Sequence, residues 1–308
     1  MELRDIAWAK LNLTLEILGR RADGFHELRS LVAFAGVGDT VAFAPKTEPK
    51  LKIVPPGADA SPRRAFALDA AGPFATALGE GNLILDAAEA ARARVPALAE
   101  GRFRLVKTLP VAAGLGGGSA DAAAALRLLV RASGGAFSMR DAEAIAPDLG
   151  SDIAVCLRSA PALMMGRGEV VAPVAGFPQC GVVLANPHVE LATSAVYGAL
   201  NASPLEGVRE AAPQPDFGGS FEALIAYASM RNNDLERVAI DLAPEIDAVL
   251  ERLRGLDGER LVRLSGSGAT CFAVFEKPRE ALRAAILLAE QEPNWWVIAG
   301  TLGDPSAG

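Results

Sequence analysis

The residues best suited to do chemistry lie in a glycine-rich segment near the middle of the chain. Four of the five residues from 114 to 118 are glycine. A strand-like run (102–107) precedes this loop, and an alanine- and leucine-rich helical pattern (119–133) follows it. Glycine leaves backbone N–H groups uncovered, and a helix start adds unpaired donors and the positive end of its dipole. The segment therefore predicts an anion site, most often one for phosphate.

Two common glycine loops do not fit this segment. No Gly-Lys-Ser/Thr ends it, as a Walker A sequence requires, and Ser119 stands where the dinucleotide fingerprint needs glycine. A simple strand-to-helix turn with glycine caps is the alternative. Three consecutive glycines weaken such a turn unless something must approach the backbone, so we favour the phosphate site.

Other polar residues have ordinary explanations when each is taken alone. Asp152 is then a helix cap, Lys10 a solvated charge on a strand, and His26 a half-exposed strand residue. Tyr197 fits a core position equally well. Lys107 either approaches a nucleotide or marks the exposed end of its strand.

The bulk composition describes an ordinary globular protein. The chain has 308 residues, 51% of them hydrophobic and 22% charged, and a net charge of −7 that argues against nucleic-acid binding. Three cysteines without CxxC spacing predict reduced, buried thiols, and two histidines make a histidine-based zinc site improbable. Because charged residues interrupt the N-terminal segment, we expect no signal peptide, and no apolar run has membrane-spanning length. We expect a cytoplasmic protein.

Strand and helix patterns occur in both halves of the chain. An alternating apolar row from Ala9 to Ile17 predicts one strand, followed by a strand at 26–35, a turn at 36–39 and a strand at 40–44. Residues 51–54 suggest another strand, and residues 55–81, rich in Pro, Gly and Ala, an irregular excursion.

Later segments repeat this mixture of strands and helices. Helices are predicted at 82–94 and 139–149, and Asn233 with Glu236 forms a capping-box pattern for another. The mixture predicts an α+β protein of two domains, 1–160 and 161–308.

Four separated pieces resemble the GHMP kinases, the galactokinase–homoserine kinase–mevalonate kinase group. They are residues 7–13, 20–28, the glycine loop and residues 264–269. The resemblance implies an N-terminal domain like domain 2 of ribosomal protein S5, an α+β C-terminal domain, and a substrate cleft between them. The Lys-x-Asn strand with Arg-Arg-Ala-Asp-Gly-(aromatic)-His resembles the branch that phosphorylates the 2-hydroxyl of a cytidine diphosphate conjugate of methylerythritol, in non-mevalonate isoprenoid biosynthesis.

The resemblance also implies roles for individual residues. Asp152 would be the catalytic base and Lys10 its partner, offsetting charge as the phosphate moves. The implied substrate-binding residues are Asn12, Phe25, His26, Tyr197, Ser267 and Gly268. The implied ATP-binding residues are Lys107, Pro110, Val111, Ala112, Ala113, Gly114, Leu115, Gly116, Gly117, Gly118 and Ser119. Phe25 stands where the family commonly has tyrosine, and Gly-Ser-Asp (150–152) replaces its usual Gly-Ala-Asp.

The implied ligands are ATP as phosphate donor, Mg²⁺, and the cytidine-linked alcohol. No dedicated metal site, nucleic-acid partner or membrane contact is expected, and the chain would be a monomer or a homodimer. Two alternatives stay open: another small-molecule GHMP kinase of the homoserine or mevalonate type, and a non-catalytic ligand-binding protein of the same fold.

Overall fold

The computed structural model describes residues 2–46, 65–79, 81–205 and 213–305. The strands are β1 (Leu3–Asn12), β2 (Glu16–Arg20), β3 (His26–Pro45), β4 (Phe66–Ala71), β5 (Gly101–Val106), β6 (Ala162–Gly166), β7 (Val170–Pro173), β8 (Cys180–Asn186), β9 (Glu259–Leu264), β10 (Cys271–Phe275) and β11 (Trp296–Gly303). The helices are α1 (Leu83–Arg94), α2 (Gly117–Ala132), α3 (Met139–Leu149), α4 (Ile153–Arg158), α5 (Thr193–Ala199), α6 (Phe221–Ser229), α7 (Glu236–Leu242), α8 (Glu245–Arg254) and α9 (Pro278–Gln291).

The long strand β3 organises the first half of the sheet. It pairs with β1, β2, β5, β6 and β11, and the central strand order is β4-β5-β3-β11-β8-β10-β9. The predicted turn at 36–39 is wrong, because β3 runs straight through it. A Cβ on Gly38 would lie 2.4 Å from the carbonyl oxygen of Ala7, so this glycine serves a close strand approach and not a turn.

The predicted first strand is two strands. β1 ends at Asn12 and β2 starts at Glu16, since Leu15 pairs elsewhere: its N–H donates to the carbonyl of Asn232 at 2.8 Å. The apolar row divides accordingly. Ala9, Leu11 and Leu13 pack into one hydrophobic core and Leu15 into another.

The predicted excursion at 55–81 is partly a strand. β4 pairs in parallel with β5, and Phe66 anchors it by packing on Phe43 and Phe103, at centroid distances of 6.3 and 5.9 Å. One buried aromatic residue holds the segment, which explains why the sequence shows no strand period there. The strand predicted at 51–54 and residues 55–64 lie outside the described residues.

The helices predicted at 82–94 and 139–149 are confirmed as α1 and α3, with Asn82 and Ser138 as their N-caps. The capping box at Asn233 and Glu236 is wrong: α7 begins at Glu236, after Leu235, and neither side chain closes the predicted pair.

Most helices pack on one face of the sheet and share one hydrophobic core, as is typical of an α+β fold, whereas α6 packs into the other core. Helices α1 to α4 pack together beside β1 and β3, while α8 and α9 cover β8 to β11. Side chains of β10 alternate between the two cores. β11, from the end of the chain, pairs with Phe34 and Ala35 of β3, which places the two halves side by side and leaves a cleft at the ends of β1 and α2.

Candidate active site

The glycine loop connects β5 to α2 and is built for close contact. Gly114 and Gly116 have φ of 74° and 63°, a backbone conformation that favours glycine. A Cβ on Gly114 would lie only 2.1 Å from the carbonyl oxygen of Ser265. Helix α2 starts at Gly117, two residues before the predicted start, and its first hydrogen bond runs from Ala120 N–H to the Gly116 carbonyl. The N–H groups of residues 117–119 therefore have no partner within the helix, as an anion site needs.

Lys10 and Asp152 form an ion pair beside this loop. Lys10 Nζ lies 2.8 Å from Asp152 Oδ2, and Lys10 is only 4% exposed while the Asp152 carboxylate keeps 30% exposure. The alternative of a solvated lysine is therefore wrong. Asp152 precedes α4 but makes no side-chain capping hydrogen bond, so the cap explanation is wrong too.

A buried polar chain fixes the lysine from behind. Lys10 Nζ donates to Asn12 Oδ1 at 2.9 Å, Asn12 Nδ2 donates to Ser30 Oγ at 2.7 Å, and the Ser30 hydroxyl donates to the Thr14 carbonyl at 2.6 Å. Each of these groups is buried, so each bond satisfies a polar atom that water cannot reach. Asn12 acts here on Lys10, and its amide also lies on the cavity wall.

The ion pair opens into a cavity of about 920 Å³. Its walls combine the pair, the glycine loop, residues Phe25, His26 and Tyr197, and the segment Gly266–Ser267. Gly268, predicted to contact substrate with Ser267, is not on this wall: a Cβ there would meet Leu264 and Ile246.

A cluster of aromatic side chains lies at one end of the cavity, where β2 and β3 form the wall. The rings of His26 and Tyr197 are 5.2 Å apart and tilted by 38°. Phe25 is 50% exposed, and the guanidinium of Arg167 stands 4.8 Å from its ring centroid. These rings form a pocket with an aromatic surface and one histidine edge.

Burial, with a smaller contribution from Arg20, lowers the pKa of His26. The imidazole is therefore neutral near pH 7 and can both donate and accept a hydrogen bond. Burial also raises the pKa of the Tyr197 phenol, so this ring is uncharged at all ordinary pH values.

Lys107 is neither an exposed strand end nor a free cation. It is buried, and its ammonium lies 2.6 Å from Asp39 Oδ2 and 2.7 Å from Asp121 Oδ2. Asp39 Oδ1 accepts from the N–H groups of Thr108 and Leu109, which begin the glycine loop. The three charges thus tie β3, the loop and α2 together from beneath.

A second cavity of about 210 Å³ lies on the other side of the glycine loop. Gly79, Asn82, Pro110 and Val111 line it, and it shares Ala112, Gly117, Gly118 and Leu83 with the large cavity. Pro110 to Ala112 and Gly116 to Ser119 therefore all lie on cavity walls. Leu115 does not: its side chain is in the core, and its carbonyl accepts from Lys10 N–H at 2.9 Å.

Several residues of the large cavity are not among those predicted from the sequence. Arg20 and Arg167 reach its wall without an ion-pair partner among the described residues, and Thr193 contacts Ser267 there, Oγ1 to Oγ at 2.9 Å. Arg167 lies in the Gly-Arg-Gly turn at 166–168. A cation between two glycines in a turn is the sequence feature that could have indicated this residue.

The described residues lack two kinds of feature. No group of three or more His, Cys, Asp and Glu side chains could hold a metal ion there. None of the helices in those residues is long and apolar enough to cross a membrane.

Comparisons with known proteins agree with this geometry. Residues 82–160 match the family model for the GHMP kinases N terminal domain, and residues 209–287 match GHMP kinases C terminal. A 4-diphosphocytidyl-2-C-methyl-D-erythritol kinase of Bradyrhizobium sp. (strain ORS 278) is 43% identical, with 97% of each chain covered.

Solved structures place the fold in the same group. A crystal structure of 4-(cytidine 5'-diphospho)-2C-methyl-D-erythritol kinase is 31% identical, with a TM-score of 0.73 over 98% of this chain and 99% of that one. Homoserine kinase from Cytophaga hutchinsonii, 15% identical over 98% and 95% of the two chains with a TM-score of 0.67, shares the fold.

Proposed function

The chain belongs to the GHMP kinases, within the family of 4-diphosphocytidyl-2-C-methyl-D-erythritol kinases, and we propose that Asp152 and Lys10 carry out its phosphoryl transfer. The enzyme moves the γ-phosphate of ATP to the 2-hydroxyl of 4-diphosphocytidyl-2-C-methyl-D-erythritol, a step of non-mevalonate isoprenoid precursor biosynthesis. The supporting observation is the Lys10–Asp152 pair, which stands between a phosphate-type loop and an aromatic pocket in one cavity.

Asp152 acts as the base in this proposal. In a loose phosphoryl-transfer transition state the hydroxyl proton leaves late, so a carboxylate that orients the alcohol is sufficient. The exposed part of Asp152 faces the cavity, where it can accept a hydrogen bond from the 2-hydroxyl.

Lys10 stabilises the transferring phosphoryl group. An ammonium has three hydrogens: one is directed to Asn12 Oδ1 and one to Asp152 Oδ2, which leaves one for a phosphoryl oxygen. Because Lys10 is buried and already fixed, it needs no reorganisation when charge develops.

ATP lies across the start of α2. Its phosphates bind the free N–H groups of residues 117–119, and the 210 Å³ cavity beside Pro110 and Val111 takes the base side of the nucleotide. The buried Lys107 supports the loop from below, and it also lines the cavity that takes the base side of the nucleotide.

The cytidine occupies the aromatic end of the cavity. Phe25 and Tyr197 offer ring surfaces to the base, and the neutral His26 edge can discriminate cytosine by hydrogen bonding. Arg20 and Arg167 place positive charge beside this pocket, which suits the diphosphate of the substrate.

The donor set fits Mg²⁺ that is bound mainly through nucleotide phosphates. Asp152 is the one carboxylate on the described wall of the large cavity, and with the Ser119 hydroxyl it would hold the ion. An ion held there would supply charge neutralisation for the phosphates of ATP.

The remaining features of the proposal concern organisation. We place the boundary of the two kinase domains at 160/161, consistent with a first family match that ends at residue 160. The enzyme works in the cytoplasm as a monomer or homodimer, without nucleic acid or membrane partners, consistent with its net charge of −7.

Phosphorus NMR of the product tests the reaction. The 2-carbon carries a methyl group and no hydrogen, so a phosphate on its hydroxyl shows no three-bond coupling to a proton on that carbon. We expect a new phosphate resonance without such coupling, formed only with ATP and the cytidine compound. A proton-coupled phosphomonoester would place the transfer at another hydroxyl, and absence of product would refute the proposed function.

A further inference from the structure

The reaction described above does not use the side chains of Asn233, which lies between α6 and α7, and Glu236, the first residue of α7. Asn233 is 5% exposed, and its Oδ1 accepts from Leu235 N–H at 3.0 Å. Its Nδ2 donates to the carbonyls of Leu264 at 3.0 Å and Gly266 at 2.7 Å. Both amide hydrogens are thus directed at one short segment of another element.

Glu236 also bonds to the segment that Asn233 contacts. Its Oε2 accepts from Leu264 N–H at 2.8 Å, so the backbone N–H and carbonyl of Leu264 are both held from this side. No capping box forms, because Asn233 Oδ1 already accepts from Leu235 N–H and Glu236 Oε2 from Leu264 N–H. We call residues 265–268 the serine loop.

The serine loop touches the glycine loop directly. Ser265 Oγ donates to the Gly114 carbonyl at 2.9 Å, and the Ala113 carbonyl accepts from Thr270 N–H at 3.2 Å. A Cβ on Gly266 would lie 3.1 Å from the Gly114 oxygen and 3.3 Å from Asn12 Oδ1. With glycine against glycine there is no side chain to absorb a shift, so displacement of Gly266 moves Gly114 as well.

The other side of the Asn233 segment is fixed to the strands. Leu15 exchanges two backbone hydrogen bonds with it, to the Asn232 carbonyl and from Asp234 N–H, both at 2.8 Å. The Asp234 carboxylate accepts from Ile17 N–H at 2.7 Å. Asn233 therefore joins a fixed support to the serine loop.

We infer that Asn233, assisted by Glu236, is a positioning residue that holds the glycine loop through the serine loop in the geometry needed to bind ATP. The inference rests on the proposed function for the location of the ATP site. Asn233 acts through Gly266 and Gly114 and needs no contact with substrate.

The test compares Asn233→Leu with Asp234→Ala. Leucine fills the same space without the two donors, whereas the Asp234 variant removes a hydrogen bond of the same segment on the side away from the serine loop. ATP affinity is measured by calorimetry without an acceptor, at a temperature where both variants are folded by circular dichroism. This readout does not depend on which alcohol is phosphorylated, and wild-type product formation tests the proposed function separately.

We expect Asn233→Leu to weaken ATP binding at least about fivefold and to lower kcat at least about tenfold, on the scale of a small misplacement of reacting groups. KM for the cytidine compound should stay within about threefold, because its aromatic pocket is separate. Asp234→Ala should match wild type in all three quantities. Wild-type ATP affinity in folded Asn233→Leu would overturn the proposal.

A second pair decides the question if Asn233→Leu does not fold. Glu236→Gln keeps an acceptor for Leu264 N–H and should retain wild-type ATP affinity, while Glu236→Leu removes it and should weaken binding. Equal ATP affinity in these two variants would overturn the proposal.

Discussion

Asp152 Oδ2 lies 2.8 Å from Lys10 Nζ, and Gly116 lies directly beside both side chains. A Cβ on Gly116 would lie 3.5 Å from the carboxylate oxygen and 3.2 Å from Lys10 Cε. The start of α2 thereby comes within contact distance of the ion pair. A phosphate held at the helix start and a hydroxyl oriented by Asp152 can meet there, which is the geometry that phosphoryl transfer requires.

Asp152→Asn should lower kcat by about 100-fold or more while the fold and ATP affinity persist, because the amide cannot accept the hydroxyl proton. Asp148→Asn makes the same charge change on an exposed residue of α3 and is the matched control. Steady-state ADP release measures both variants. Near-native turnover of a folded Asp152→Asn enzyme would remove this residue from the mechanism.

Glycine 118 offers a clean test of the phosphate site. A Cβ there would meet Leu83 at an ordinary 3.5 Å, so a side chain can be added without disturbing the fold. Gly118→Val should weaken ATP binding by about tenfold or more by blocking backbone approach, and Gly118→Ala should do so less. Calorimetry with ATP reads the series. Equal affinities across it would place the phosphates elsewhere.

Because His26 lines the cytidine pocket and His188 does not, replacing each histidine should have a different effect on catalysis. His26→Ala should lower kcat/KM for the cytidine compound and barely change ATP affinity. Its effect on methylerythritol alone should be small, since that fragment never reaches the pocket and lacks about 1–3 kcal/mol of base stacking. His188→Ala, which alters a ring stacked on Phe74 away from the large cavity, is the control. A double cycle of both substrates with each variant gives the coupling. Equal losses with both substrates would refute base recognition by His26.

The buried ion pairs of Lys107 with Asp39 and Asp121, beneath the glycine loop, predict that the stability of the fold depends on pH. Burial, aided by the nearby Asp39, raises the pKa of Asp121 to about 7 against the opposing effect of Lys107. Between pH of about 4 and 7 the folded state then holds one more proton than the unfolded state, so the free energy of unfolding falls as pH rises. Asp121→Asn cannot titrate and should lose this slope, which is at most about 1.4 kcal/mol per pH unit. Urea unfolding across this range measures it, and parallel curves for the two proteins would contradict the raised pKa.

Much of the site could be predicted because its chemistry is local. The glycine loop, the helix after it and the fold class follow from spacing and composition, and motifs in four places imply the kinase. Phe25 and His26 are adjacent in the sequence and reach the same cavity together.

Features that depend on long-range packing could not be predicted. Gly36–Asp39 has turn composition, yet β1 and β11 require glycine in β3 for close approach. Lys107 looks like a strand end because its two carboxylates are 68 and 14 residues away. The Asn233–Glu236 spacing fits a capping box, but Asn233 Oδ1 accepts from Leu235 N–H and Glu236 Oε2 accepts from Leu264 N–H. Local spacing cannot reveal a partner such as Leu264, which is 28 residues from Glu236.

Acceptor selectivity tests the central claim most directly. ADP release by the wild-type enzyme would be followed with ATP and, in turn, 4-diphosphocytidyl-2-C-methyl-D-erythritol, methylerythritol, homoserine, mevalonate and no acceptor. We predict kcat/KM for the cytidine compound to exceed that for every other acceptor by at least about 100-fold, because only this compound occupies both the aromatic pocket and the Lys10–Asp152 pair. Equal or better turnover of homoserine, mevalonate or the truncated alcohol would contradict the account.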